Sequence, residues 1–204
     1  MSQPKVDVAP LSADSRSTIS DKVPQARIYR VWNVAQSGTV DADRLQLLAQ
    51  VFGGSRSSRL DQRLLHADKS VDNVSASMFT SQLGSNFFVS ATVKQGVDPA
   101  VVEAAIDEEL EKLLRDGPTR IELDQARTVI KAGFTRGVER IGGFGGKADV
   151  LAECAVYTRN PGCFRDSLRT INTATIGLVK LAGNDWLGEG KGSHTLVVTP
   201  GERK

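Results

Sequence analysis

The sequence predicts an α+β domain, an antiparallel-dominated sheet covered by helices, with its elements in the order β-α-α-β-β-α-α-α-α-α-β. Three observations carry that prediction. In "NFFVSATVKQ" (86–95), Phe87, Val89, Ala91 and Val93 alternate with Ser90, Thr92 and Lys94, the period of a half-buried strand. In "SVDNVSASMFTS" (70–81), Val74, Ala76 and Met78 alternate in the same way, and Leu83-Gly84-Ser85 supplies a turn between the two runs, so they form a hairpin. From Asp98 onward the period becomes helical, with Val102, Ile106, Leu110 and Leu113 on one stripe.

The elements follow in order. Residues 1–24 are polar and read as a linker or extended arm; residues 25–200 carry the periodic elements and form one domain. "RIYRVWNV" (27–34) is a strand. "DADRLQLLAQVF" (41–52) sets Leu45, Leu48 and Phe52 on one helical face, and Gly53-Gly54 ends it. "SRSSRLDQRLLHAD" (55–68) is a second short helix behind serine caps. After the hairpin, Asp98 is an N-cap with Pro99 in the first helical position, and Gly117-Pro118 stops that helix. Thr119 and Glu122 form a capping box for the next helix, which carries Ala126, Ile130 and Val138 and runs to about Ile141. "GGFGG" (142–146) breaks the helical run, and a new helix starts near Gly145 with Val150, Leu151, Cys154, Ala155 and Thr158 on a shared face. "NPG" (160–162) ends it, two helices follow around 163–171 and 174–187, and "HTLVVT" (194–199) is the last strand.

Composition excludes several function classes. Basic and acidic residues number 26 and 24, so a net charge of +2 offers no field for nucleic acid or an anionic membrane surface. Aromatic residues at 5% give no stacking platform for bases. No run of about 18 apolar residues predicts a membrane span, and the first 20 residues lack the apolar core of a signal peptide. Two cysteines make no disulfide framework and leave the compartment open.

The chemistry-bearing motifs are thin. "RIGGFGGKAD" (140–149) suggests a phosphate cradle, but the first glycine of a Walker loop falls on Ile141 and the hydroxyl position on Ala148, and no strand precedes it. The bland reading is a helix break followed by a helix start. His66 and His194 have no second histidine at helical spacing, and Cys154 and Cys163 are separated by a helix stop, so they read as surface histidines and small apolar thiols rather than metal ligands. Ser55, Ser57 and Ser58 read as helix caps, with no nucleophile elbow. Asp107, Glu108, Glu109 and Glu111 read as the wet face of an amphipathic helix. Glu153 is a buried or a solvated acid, with nothing to choose between them. The residues by themselves name no catalytic site and no metal site.

Taken as an ordered series, "LAQVFGGSRSSRLDQRL" (48–64), "VSAS" (74–77), "DEELEKLLRDGPTRIELDQAR" (107–127) and "RGVERIGGFGGKADVLAECAVYTRNP" (136–161) resemble the pitrilysin/insulinase-type zinc peptidases, over nearly all of 22–199. The resemblance is to the second, C-terminal lobe of a peptidase half, in a family where each half pairs two similar α+β lobes and two halves close around a peptide. It assigns residues 25–200 to such a lobe. The family's zinc motif, His-x-x-Glu-His with a distant Glu, belongs to the other lobe and has no counterpart at His66 or His194. The resemblance therefore implies no zinc or other cofactor in this chain, with zinc expected in the partner lobe. Second lobes of the partner half often carry, after the "SSRL" element, an Arg and seven residues later a Tyr that hold substrate; the matching positions here are Leu65 and Asp72, which cannot do so. The glycine-rich loop of related processing-peptidase subunits is reduced here to Gly53-Gly54. The implied function is a non-catalytic lobe of a zinc-dependent metalloendopeptidase, shaping the substrate chamber and packing on the zinc-bearing lobe. The implied partners are that lobe, a second peptidase half and a peptide substrate, in the periplasm or cytoplasm of a bacterium. The alternative is a scaffold or assembly subunit like the inactive core proteins of that family, with no peptidase activity. The chain alone is expected to be inactive.

Overall fold

A computed structural model describes residues 8–201. The elements are β1 (Ser15–Asp21), β2 (Arg27–Val34), α1 (Val40–Gly53), a short π-helix (Asp61–Ala67), β3 (Val71–Phe79), β4 (Ser85–Val93), α2 (Pro99–Asp116), α3 (Arg120–Val138), α4 (Lys147–Thr158), α5 (Phe164–Thr173), α6 (Ile176–Leu187) and β5 (His194–Pro200). The five strands form one sheet in the order β1-β5-β2-β4-β3. Every neighbouring pair is antiparallel except β1 with β5. The α+β class and the antiparallel-dominated sheet thus stand as the sequence predicts. No helix among the described residues is long and apolar enough to cross a membrane.

The strand parity follows from the pattern of side chains. Ile28, Trp32 and Val34 on β2, and Phe87, Val89, Ala91 and Val93 on β4, all point to one face and are buried. Helix α1 packs on β3 and β4, and α2 and α6 on β2, while α3 and α5 pack on α1 and α4 on α3 and α5. Trp32 and Phe87 meet edge-on at 5.8 Å, and Phe52 from α1 lies 6.5 Å from Phe87. Each fully buried side chain of this size contributes about 1.5–3 kcal/mol.

The helix ends are built as their residues dictate. Thr39 caps α1 by accepting from the Ala42 N–H, and Asp98 caps α2 by accepting from the Ala100 N–H. The Thr119–Glu122 capping box is complete: the Glu122 N–H donates to Thr119 Oγ1 at 3.2 Å and the Thr119 N–H to Glu122 Oε2 at 2.7 Å. Gly53 lets α1 end hard against β3, since a Cβ there would lie 2.4 Å from the Ala76 nitrogen. That close approach accounts for the first glycine of the pair without any role in substrate handling.

Four details differ from the sequence reading. Residues 15–21, inside the segment read as a linker or extended arm, are strand β1, paired along its length with β5. Its sequence, SRSTISD, has one apolar residue, Ile19, and that residue is exposed. Backbone pairing and a polar network hold it, so it shows no hydrophobic period. In that network Asp14 accepts from the Ser193 N–H and Oγ at 2.7 Å, Arg30 Nε donates to Ser193 Oγ at 2.8 Å, and Arg16 forks onto Glu103 at 3.0 and 3.1 Å. Second, the helix over 55–68 is largely π, with the Asp68 N–H reaching back five residues to the Arg63 carbonyl. Third, α3 stops at Val138 rather than near Ile141. Fourth, Cys154 and Cys163 are not free thiols: they form a disulfide with their Cα atoms 5.4 Å apart, because the turn at 160–162 folds the start of α5 back against α4.

Candidate functional site

The sheet has a second face. Directly paired residues share a face, so Tyr29 and Val31 on β2, Phe88 and Ser90 on β4, Ser75, Ser77 and Phe79 on β3, and His194 and Leu196 on β5 all point away from the helices. These side chains stay half-buried or exposed. Three of them form an aromatic row across adjacent strands: Tyr29 to Phe88 at 5.9 Å, and Phe88 to Phe79 at 5.5 Å in an edge-on contact. Phe79, at the end of the row, is 59% exposed. Beside the row Ser75 and Ser90 hydrogen-bond to each other at 3.0 Å. An open, half-apolar sheet surface rimmed by hydroxyls suits an extended chain laid across it. The row is the feature sequence reasoning missed. Its signal was Phe88, a large ring on the polar parity of its strand between Asn86 and Ser90.

This face holds no assembled reaction centre. His194 Nδ1 lies 2.8 Å from Ser15 Oγ and its Nε2 lies 3.1 Å from Ser17 Oγ. Both ring nitrogens are thus engaged by hydroxyls, and no carboxylate orients the ring as a triad requires. His66 sits on the π-helix beside Asp61, with Nε2 at 3.2 Å from Oδ1. The two histidines share no site, both cysteines are consumed in the disulfide, and among the described residues no three potential ligands cluster. The described residues therefore offer no ligand set for a zinc centre. Leu65 packs partly buried against the core, and Asp72 accepts a hydrogen bond from Gln25 at the exposed start of β3.

In the glycine-rich loop between α3 and α4, four successive backbone donors are occupied. The Gly145 N–H donates to Asp149 Oδ2 at 2.7 Å, Gly146 to the Gly143 carbonyl at 3.0 Å, Lys147 to Arg140 at 2.9 Å and Ala148 to Ile141 at 2.9 Å. A carboxylate of the chain itself occupies the place a phosphate would take.

The other charged candidates are structural. Asp107 pairs with Arg30 on the sheet while its side chain stays half exposed, Glu109 pairs with Lys112 at 2.8 Å, and Glu108 lies 3.5 Å from Arg63. Arg59 forks onto Glu122 at 2.8 and 2.9 Å. Burial alone would push the Glu122 carboxyl up, but the Arg59 hydrogen bond, the Thr119 N–H and the Arg59 charge together hold it below its ordinary range. Glu153 is exposed.

On the helix side, α1, α3, α4 and α5 enclose an open cavity of about 840 Å³ lined by Ile130, Phe134, Tyr157, Phe164 and the disulfide. Phe134 and Phe164 stack across it at 5.8 Å. Of the shared face expected on α4, Val150, Cys154 and Thr158 line this space, while Leu151 and Ala155 are exposed outside it; Cys154 alone is buried. Within it, burial raises the Asp43 carboxyl, partly offset by the hydrogen bond from Ser167.

The comparisons with known proteins agree with this geometry. A protease from Helicobacter pylori superposes with a TM-score of 0.82 at 17% identity, covering 98% of this chain and 47% of that one. The peptidase M16 inactive domain from Pseudomonas fluorescens gives 0.77 at 18%, covering 94% and 45%. The inactive peptidase domain of a Bordetella parapertussis protein gives 0.77 at 17%, covering 91% and 96%. The chain thus spans about half the length of the first two and nearly all of the third. No curated protein matches it. The sequence profile of the peptidase M16 inactive domain matches residues 2–130, more than half of the chain, and the chain belongs to that family.

Proposed function

We propose that this chain is the non-catalytic lobe of a zinc-dependent metalloendopeptidase, packed beside a zinc-bearing lobe, with its helix-free sheet face forming one wall of the peptide chamber. The carrying observation is the Tyr29–Phe88–Phe79 row, an apolar strip on a sheet face that no catalytic group accompanies. Such a wall acts by alignment: a substrate misplaced by about 1 Å reacts roughly a hundredfold more slowly. The peptide substrate and a second peptidase half complete the chamber, and the hydrolytic chemistry resides outside this chain. The Cys154–Cys163 disulfide favours an oxidising compartment, the periplasm over the cytoplasm.

The test is steady-state kinetics of the assembled enzyme carrying Phe88→Ser. For peptides with large apolar side chains, KM should rise about threefold to tenfold, the loss of one aromatic contact, with small effect on all-polar peptides. Unchanged kinetics for both peptide sets would remove the sheet face from the chamber.

A further inference from the structure

The function proposed above uses the open face of the sheet. The cavity of about 840 Å³ lies on the other side, among the helices, and has the size of a small-molecule site. Helix α3 gives it Ile130, Gly133, Phe134 and Gly137, the spacing of one helix face. Tyr157 from α4 and Phe164 from α5 add aromatic walls, and Phe164 is held by its stacking on Phe134. One acid sits among these walls. Asp43, on α1, accepts from the Ser167 hydroxyl through Oδ1, and no described residue bonds to its Oδ2.

Asp43 also lacks a counter-ion. Arg44, the next residue, is bonded to Asp41 at 3.3 Å. Burial disfavours the charged form of Asp43, and the Ser167 hydrogen bond offsets only part of that. The other charged residues of the lining are Glu153, Asp166 and Arg140. Asp166 pairs with Arg169 at 3.1 Å, whereas Glu153 pairs with no cation among the described residues. Arg140 donates to the Phe144 carbonyl at 3.3 Å. Three carboxylates against one guanidinium repel an organic anion, while an organic cation supplies the missing counter-charge.

We infer that this cavity binds a small organic amine, its ammonium donating to Asp43 Oδ2 and its apolar or aromatic body lying against Phe134, Tyr157 and Phe164. The test titrates the chain calorimetrically near neutral pH with three molecules that share an indole and differ in the charge of a short tail: tryptamine, tryptophol and indole-3-acetate. Tryptamine should bind with a Kd of about 1 mM or tighter, tryptophol about tenfold more weakly, and indole-3-acetate not measurably. Asp43→Asn should weaken tryptamine about tenfold and leave tryptophol unchanged, a selectivity that a merely structural role of Asp43 would not produce. Gly133 offers a way to close the site: a Cβ there meets nothing within 4 Å, so Gly133→Trp sets an indole into the cavity and should abolish binding of both ligands. No saturable binding of tryptamine, equal affinity for indole-3-acetate, or tryptamine binding that survives Gly133→Trp would each overturn the site. Equal tryptamine affinity in Asp43→Asn would overturn the role of Asp43 and the amine class with it. The ligand series on the unchanged chain needs no variant to decide the outcome.

Discussion

Helices α1 and α4 have similar lengths and opposite constructions. Helix α1 buries eight of its 14 residues, with Leu45, Leu47, Leu48 and Phe52 fully enclosed between the sheet and the outer helices. Helix α4 buries one of 12, Cys154. The first is placed by hydrophobic burial and the second by ties: a disulfide to α5, a braced glycine turn to α3, and the Thr158 side chain against Gly38. A helix held by ties can carry exposed apolar groups without endangering the fold, and its neighbouring loop does so with Ile141 and Phe144.

The comparison breaks most visibly in the core. Phe87→Ala removes a fully buried ring that meets both Trp32 and Phe52, and should cost about 3–5 kcal/mol in urea-induced unfolding. Next comes the disulfide. Replacing Cys154 and Cys163 with Ser opens a short loop, for which about 2–3 kcal/mol is expected, and the loss should be local. Hydrogen exchange should show amides of α4 and the start of α5 losing protection while those of α1 and β4 keep theirs. Global loss of protection would erase the distinction between the two regions.

Smaller effects sharpen it. Thr119→Ala removes one side of the capping box and should cost about 1 kcal/mol. The partner residue adds a pH signature. The folded Glu122 carboxyl titrates below its unfolded value, so its contribution is present above about pH 4.3 and disappears as pH falls through the folded pKa. Glu122→Gln should flatten that part of the acid limb in a Tm-versus-pH series. Smallest is Phe144→Ser, which touches nothing in the core and should change stability by less than about 0.5 kcal/mol.

Most of the sheet and helix order was legible because it is written in period and caps. The alternation in 86–95 and the Thr119–Glu122 box survive into the structure unchanged. Strand β1 was not legible: Ser, Thr and Asp on an edge strand carry no apolar period, and their partner β5 lies at the other end of the chain. The disulfide was hidden because a turn, rather than spacing, brings the cysteines together. On the candidate surface, the absence of a zinc motif could be read residue by residue, whereas the aromatic row needs the register of three strands before Tyr29, Phe88 and Phe79 become neighbours.

The central claim is that this lobe holds no hydrolytic chemistry and matters only beside one that does. The direct measurement is peptide turnover, with zinc supplied, by this chain alone, by the zinc-bearing lobe with its second half, and by all of them together. The account predicts no turnover from this chain, weak or no turnover without it, and chelator-sensitive turnover from the full set. Chelator-sensitive cleavage by this chain alone, or full activity in its absence, would contradict it.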